Sequence, residues 1–169
     1  MNDFLQAIKS PEYVHVLLNP LPVYATAVGL LALIVGLLLR SRQAQGVALF
    51  LIIVGTLSVW PVEKYGDHSY DRVYSMANAD GQKWLIEHVR RADAVMWMFY
   101  VTAAIAAAGI VALWKFPKIG TWLALLALAG TLACLVAGGW ISQAGGKVRH
   151  SEFRTSPPPE PPPGFDSKD

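Results

Sequence analysis

The chain has 169 residues, of which 54% are hydrophobic and only 15% charged, with a mean hydropathy of +0.38; an ordinary soluble domain carries about 25% charge. So little polar surface makes lipid, not water, the expected solvent. The formal net charge of +2 comes without any dense basic run interleaved with aromatics, which excludes a phosphate-binding footprint and nucleic acid as a partner.

The opening, Met1-Asn2-Asp3-Phe4-Leu5-Gln6, lacks the basic stretch, apolar core and small-residue cleavage site of a signal peptide. The first long apolar run is therefore expected to remain as an anchor. A helix needs roughly 20 apolar residues to cross a bilayer, and four stretches meet or approach that length: 17–39, 46–62, 94–114 and 119–141. They are continuous and not alternating, which favours a helical bundle over a barrel. The expected fold is all-α: a four-transmembrane-helix bundle of two helical hairpins, preceded by an N-terminal segment (1–16) and followed by an extended tail (143–169).

The connections are unequal. Arg40-Ser41-Arg42-Gln43-Ala44-Gln45 joins the first pair and Lys115-Phe116-Pro117-Lys118 the second, each short enough for an antiparallel hairpin. The middle connection, 63–93, is long and polar. It is expected to hold a helix capped by Asp80, with Trp84, His88 and Ala92 on one face. That helix either continues the third span above the bilayer or lies on its surface. Both short loops are basic and free of acid, and all 12 acidic residues fall on the other side. The positive-inside rule then puts the short loops in the cytoplasm and both termini and 63–93 outside, in a bacterial inner membrane. The six tryptophans mostly fall near the predicted boundaries, as an aromatic belt does. Ala103, Ala104, Ala107 and Ala108, Gly29 and Gly36, and Gly130, Gly138 and Gly139 offer small faces on which helices approach closely. The single cysteine, Cys134, lies in an apolar run and reads as a packing residue.

The tail segment Ser156-Pro157-Pro158-Pro159-Glu160-Pro161-Pro162-Pro163-Gly164 is expected to be extended polyproline II, and Pro157, Pro158, Pro159, Pro161, Pro162 and Pro163 are the expected partner contacts.

The residues with chemistry are histidines. His15, His68, His88 and His150 are all placed at the outer membrane surface. His15, His88 and His150 come from different segments and are candidates to converge at one end of the bundle as ligands for haem iron or a metal. No Cys-x-x-Cys-His, no His-x-x-x-His and no intramembrane histidine pair supports this. Asp67, His68, Ser69 and Asp71 are neighbours in sequence, but a catalytic triad is a matter of folded geometry; no catalytic constellation is evident. The apolar spans carry no carboxylate, which argues against a proton-coupled transporter. Only Asn19, Thr26, Thr56, Ser58, Thr102, Thr121 and Thr131 offer themselves to line a polar path. Chlorophylls, carotenoids, quinones and lipids need no motif to pack on such helices.

Two end motifs carry a resemblance. Val14-His15-Val16-Leu17-Leu18-Asn19-Pro20-Leu21-Pro22 and Gly145-Gly146-Lys147-Val148-Arg149-His150-Ser151-Glu152 resemble an uncharacterised bacterial family of four-helix membrane proteins over residues 14–152. Its members open His-Leu-Leu-Leu-Asn-His-Leu-Pro, close Gly-Gly-x-Ile-Arg-His-x-Glu and carry a histidine before helix 3. The resemblance implies the same fold and marks His15, Asn19, His88, Gly145, Gly146, Arg149, His150 and Glu152. It implies no activity. The family's second early histidine is Pro20 here. The leading expectation is a non-enzymatic accessory subunit of a membrane redox or photosynthetic complex; the alternative is a haem or metal protein of the outer face.

Overall fold

The computed structural model describes residues 2–161, and among them the chain is helical with no strand. In order, the elements are α1 (Asn2–Ala7), α2 (Pro11–Leu18), α3 (Leu21–Leu38), α4 (Arg42–Leu57), α5 (Val59–Met76), α6 (Ala79–Lys115), α7 (Pro117–Arg149) and a 3-10 turn (Ser151–Phe153). Taken as continuous rods, Pro11–Leu38, Arg42–Met76, Ala79–Lys115 and Pro117–Arg149 are four helices long and apolar enough to span a membrane.

The two short hairpin turns are built tightly. Arg40 takes a left-handed conformation at φ 50°, which lets the Ser41 N–H donate to Gly36 O and the Arg40 N–H to Leu37 O. This pairing closes the end of α3. Ser41 then caps α4 by accepting from the Ala44 N–H. In the second hairpin Phe116 alone separates α6 from α7, with Pro117 at the first helical position, where its missing N–H costs nothing.

The polar stretch 63–93 is not a loop. α5 carries on to Met76 and α6 starts at Ala79, so two helices run far past the apolar spans and turn within two residues. The cap is Asn78, whose Oδ1 accepts from the Gly81 N–H at 2.8 Å, in place of the expected Asp80. α7 likewise continues to Arg149, eight residues beyond the apolar run ending at Ile141. At 1.5 Å per residue the 37-residue α6 is about 55 Å long, well beyond a hydrocarbon core of about 30 Å. Of the alternatives for the middle segment, the one in which the third span extends above the apolar layer holds. Polarity stopped the apolar pattern but not the helix, because Glu87, Arg90, Arg91 and their neighbours are good helix formers.

The half that ends in the two short turns is a close-packed four-helix bundle in which α3 touches α4 and α7, and α6 touches α4 and α7. Leu33, Leu49, Ile52, Leu113, Ala106, Ala124 and Ala127 form its core. Backbones approach at glycines. A Cβ on Gly55 would lie 2.6 Å from the Thr26 nitrogen, and one on Gly120 2.6 Å from Leu113 backbone atoms. Val28, Leu31, Leu38, Trp122 and Val136 stay more than half exposed on the outside of the bundle, the pattern of a lipid-facing surface. Trp60, Trp97 and Trp114 are exposed in the same way and Trp140 less so, under the Arg91 guanidinium; Trp84 departs from the belt, being buried under the Lys147 ammonium at 4.1 Å.

The opposite half, which holds the α5–α6 turn, opens. The first hairpin is interrupted in both helices at one level, by Asn19-Pro20 between α2 and α3 and by Ser58, three residues before Pro61, between α4 and α5. Proline removes a ladder hydrogen bond and bends the rod there. α6 and α7 have no such break. Above it α2 and α5 stay paired with each other but pack little on α6 and α7, which leaves a space between the two hairpins.

α6 and α7 are tied across that region by Arg91, which is paired with the buried Glu87 of its own helix and reaches over to α7. Glu87 accepts from Arg91 at 2.7 Å and from Arg90 at 2.7 and 2.8 Å, and Arg91 also donates to Trp140 O and Gln143. Arg91→Ala is expected to cost about 2–3 kcal/mol, below the roughly 3–5 kcal/mol of an uncompensated buried charge because Arg90 remains on Glu87. Arg90→Ala, at an exposed position, should cost under about 1 kcal/mol. Thermal unfolding in detergent separates the two.

Candidate functional site

The space between the hairpins is a cavity of about 590 Å³, within the range of about 300–1,000 Å³ typical of small-molecule sites. Its floor is apolar, with Pro22, Val23, Val59, Met96 and Phe99, and its lining also includes the charged residues Glu12, Glu63, Asp67, Asp93 and Arg149. Two histidines line it: His15 from α2 and His88 from α6. Their ring centres are 6.4 Å apart and their planes cross at 84°.

Each ring is held from behind by the neighbouring helix of its own hairpin. His15 Nδ1 lies 2.9 Å from Val62 O on α5, and His88 Nδ1 lies 3.0 Å from Ile141 O on α7. A carbonyl only accepts, so Nδ1 carries the proton in both rings, and in the neutral imidazole Nε2 keeps its lone pair. Those carbonyls belong to the last residues of the apolar runs 46–62 and 119–141, which puts both rings at one depth. One helical turn further on, each supporting helix has a glycine at the ring. A Cβ on Gly66 would fall 3.0 Å from His15 Nδ1, and a Cβ on Gly145 3.0 Å from His88 Nδ1. The two hairpins thus present matching half-sites.

Of the expected three-histidine cluster, the structure brings two together. His150 is exposed at the end of α7, hydrogen-bonded to Glu152 at 2.9 Å and stacked on Phe153, and it does not line the cavity although Arg149 beside it does. Glu152's own backbone N–H, and then the His150 ring, hold its carboxyl below the usual carboxylate range. His68 is also exposed, bonded back to Lys64 O on its own helix. Asn19 and Arg149 line the cavity, Gly145 clears His88, and Gly146 lies against Phe153. Among the described residues no group of three or more His, Cys, Asp or Glu is arranged to hold a metal ion. Four of the hydroxyls considered for a polar path turn back on their own helices, Thr56 to Ile52 O, Ser58 to Gly55 O, Thr121 to Pro117 O and Thr131 to Ala127 O, whereas Thr102 meets Cys134 Sγ on α7 at 3.4 Å and the buried Thr26 hydroxyl has no hydrogen-bond partner among the described residues.

The tail folds onto its own chain. Arg154 donates to Lys147 O and Val148 O at the end of α7 and to Asn78 Oδ1 at the start of α6, and Glu160 pairs with Lys83 at 3.2 Å. Pro157, Pro158, Pro159 and Pro161 are in this extended stretch, whereas Pro162 and Pro163 lie outside the described residues.

No protein-family model, curated protein or solved structure matches the chain. The two end motifs therefore assign it to no family, and its function is argued from the cavity.

Proposed function

We propose that the protein is a membrane-anchored b-type haem protein that carries electrons, with His15 and His88 as the two axial ligands. The separation of the two rings carries this reading. A metal-to-imidazole nitrogen bond is about 2.0–2.1 Å, and a five-membered ring with bonds near 1.33 Å has its centre about 1.1 Å from each atom. Two imidazoles bound through Nε2 on opposite sides of one iron then have centres about 6.3 Å apart, against the observed 6.4 Å. Both rings keep Nε2 free to bind, with the other nitrogen fixed by a carbonyl, the usual support of a ligating histidine.

The small donor set favours haem over a bare ion. A porphyrin supplies four ligands itself and asks the protein for only two. The apolar floor suits the macrocycle, and Arg149 at the mouth suits a propionate. Two axial histidines fill both open positions of the iron, so the chemistry supplied is one-electron transfer, without a vacant site for a substrate.

The same reading places the chain in a bacterial inner membrane with the cavity on the outer side, as a redox subunit whose exposed apolar faces meet lipid or neighbouring subunits. An absorption spectrum of the chain purified in mild detergent is expected to show a Soret band at about one haem per chain; a colourless folded chain overturns the proposal. Sidedness has its own test. Cysteines introduced by Ser41→Cys or Phe116→Cys should react with an impermeant maleimide only after spheroplasts are permeabilised, and Ala79→Cys should react in intact ones. The reverse pattern inverts the topology.

A further inference from the structure

We infer that Gly66 and Gly145 are positioning residues that set the tautomer and the crossing angle of the two ligating histidines, an inference that rests on the haem reading above. In an α-helix the carbonyl of residue i already accepts from the N–H of residue i+4. Val62 and Gly66 on α5 stand in that relation, and so do Ile141 and Gly145 on α7. For an imidazole to share such a carbonyl, it must lie over the turn that leads to residue i+4. A side chain there would press on the ring and push it off the carbonyl: the Cβ of an alanine would meet Nδ1 at 3.0 Å and Cε1 at 3.1 Å at both positions. Glycine at i+4 is what admits the Nδ1–H···O bonds of 2.9 and 3.0 Å.

Two consequences follow for the iron. Donation from Nδ1 to a carbonyl makes the ring more basic and holds it in one orientation. Because both rings are held this way, their planes stay crossed at 84°. The π orbitals of two crossed imidazoles act equally on the two iron d orbitals of matching symmetry. Those orbitals are left nearly degenerate, which gives ferric low-spin iron a strongly anisotropic magnetic signal.

The experiment compares the full-length wild type with Gly66→Ala, Gly145→Ala and Gly139→Ala in detergent. Gly139 lies on α7 with open space around its Cα and serves as the control. Wild type and Gly139→Ala should show one strongly anisotropic low-spin ferric signal. Gly66→Ala and Gly145→Ala should each shift it towards lower anisotropy, raise the midpoint potential and lose haem to apomyoglobin about tenfold faster, the lower end for loss of such support. Wild-type signal, potential and retention in both variants would overturn the inference while leaving the haem reading intact. A wild type without haem overturns both. If either variant does not fold, nitrogen-15 histidine spectra of the ferrous wild type decide. Two slowly exchanging Nδ1 protons support the assignment, and freely exchanging ones sink it.

Discussion

His88→Ala is expected to yield a folded but nearly colourless chain, with haem occupancy at least about tenfold below wild type, and His15→Ala should do the same. Each removes one of only two protein ligands. The remaining ring, held by its carbonyl bond to Val62 or Ile141, has no second residue to replace the lost one. His150→Ala and His68→Ala should keep the full Soret band, because both rings are exposed and bonded elsewhere. Free imidazole added to His88→Ala should restore part of the absorbance, since the cavity left behind has the shape of the missing ring. Haem content after purification, measured as the pyridine adduct, separates these outcomes. If all four variants kept full occupancy, the two-histidine site would be wrong.

The second large effect concerns the close-packed bundle. Gly55→Ala and Gly120→Ala are each expected to cost at least about 1–3 kcal/mol, the usual range for forcing a methyl into a packed core. At both positions the new Cβ meets backbone 2.6 Å away, and backbone cannot swing aside as a side-chain end can. α3 would have to leave α4, or α7 leave α6. Gly46→Ala and Gly139→Ala meet nothing within 4 Å and should be neutral or slightly stabilising, because alanine is the better helix former. Unfolding by rising dodecyl sulfate in mixed micelles measures the differences. Equal stability across the four variants would mean that the glycines do not set the helix spacing.

The four spans and the two tight hairpins were readable because apolar runs of that length have one stable solution in lipid. The opposite half was harder to read for a physical reason. Hydropathy marks where side chains leave the apolar layer, not where the backbone stops being helical, so the helix from about residue 80 is legible in the sequence but the continuation of α5 through 63–76 is not. His15 and His88 were singled out by residue type alone. Their meeting depends on the breaks at Asn19-Pro20 and Ser58, which part the hairpins at that level. His150 follows the fourth apolar run by a few residues, which in sequence puts it beside them, but its ring bonds to Glu152 and stacks on Phe153. Gly66 escaped notice altogether. The signal was present in the sequence as Val62-x-x-x-Gly66 and Ile141-x-x-x-Gly145, a glycine one turn past the end of each even-numbered apolar run. Its meaning appears only once a histidine is seen lying over each turn. The proline-rich tail was expected to await a partner, and as far as Glu160 it lies along its own chain.

The depth of the two rings has an electrical consequence. Val62 and Ile141, whose carbonyls hold the rings, end the apolar runs, so the iron would sit at one rim of the insulating layer. A full elementary charge crossing that layer couples to the membrane voltage by about 2.3 kcal/mol per 100 mV. An electron that arrives and leaves at the rim crosses almost none of the drop. The midpoint potential of the site should therefore stay fixed when vesicles are energised, and the protein would relay electrons along one face of the membrane without charging it.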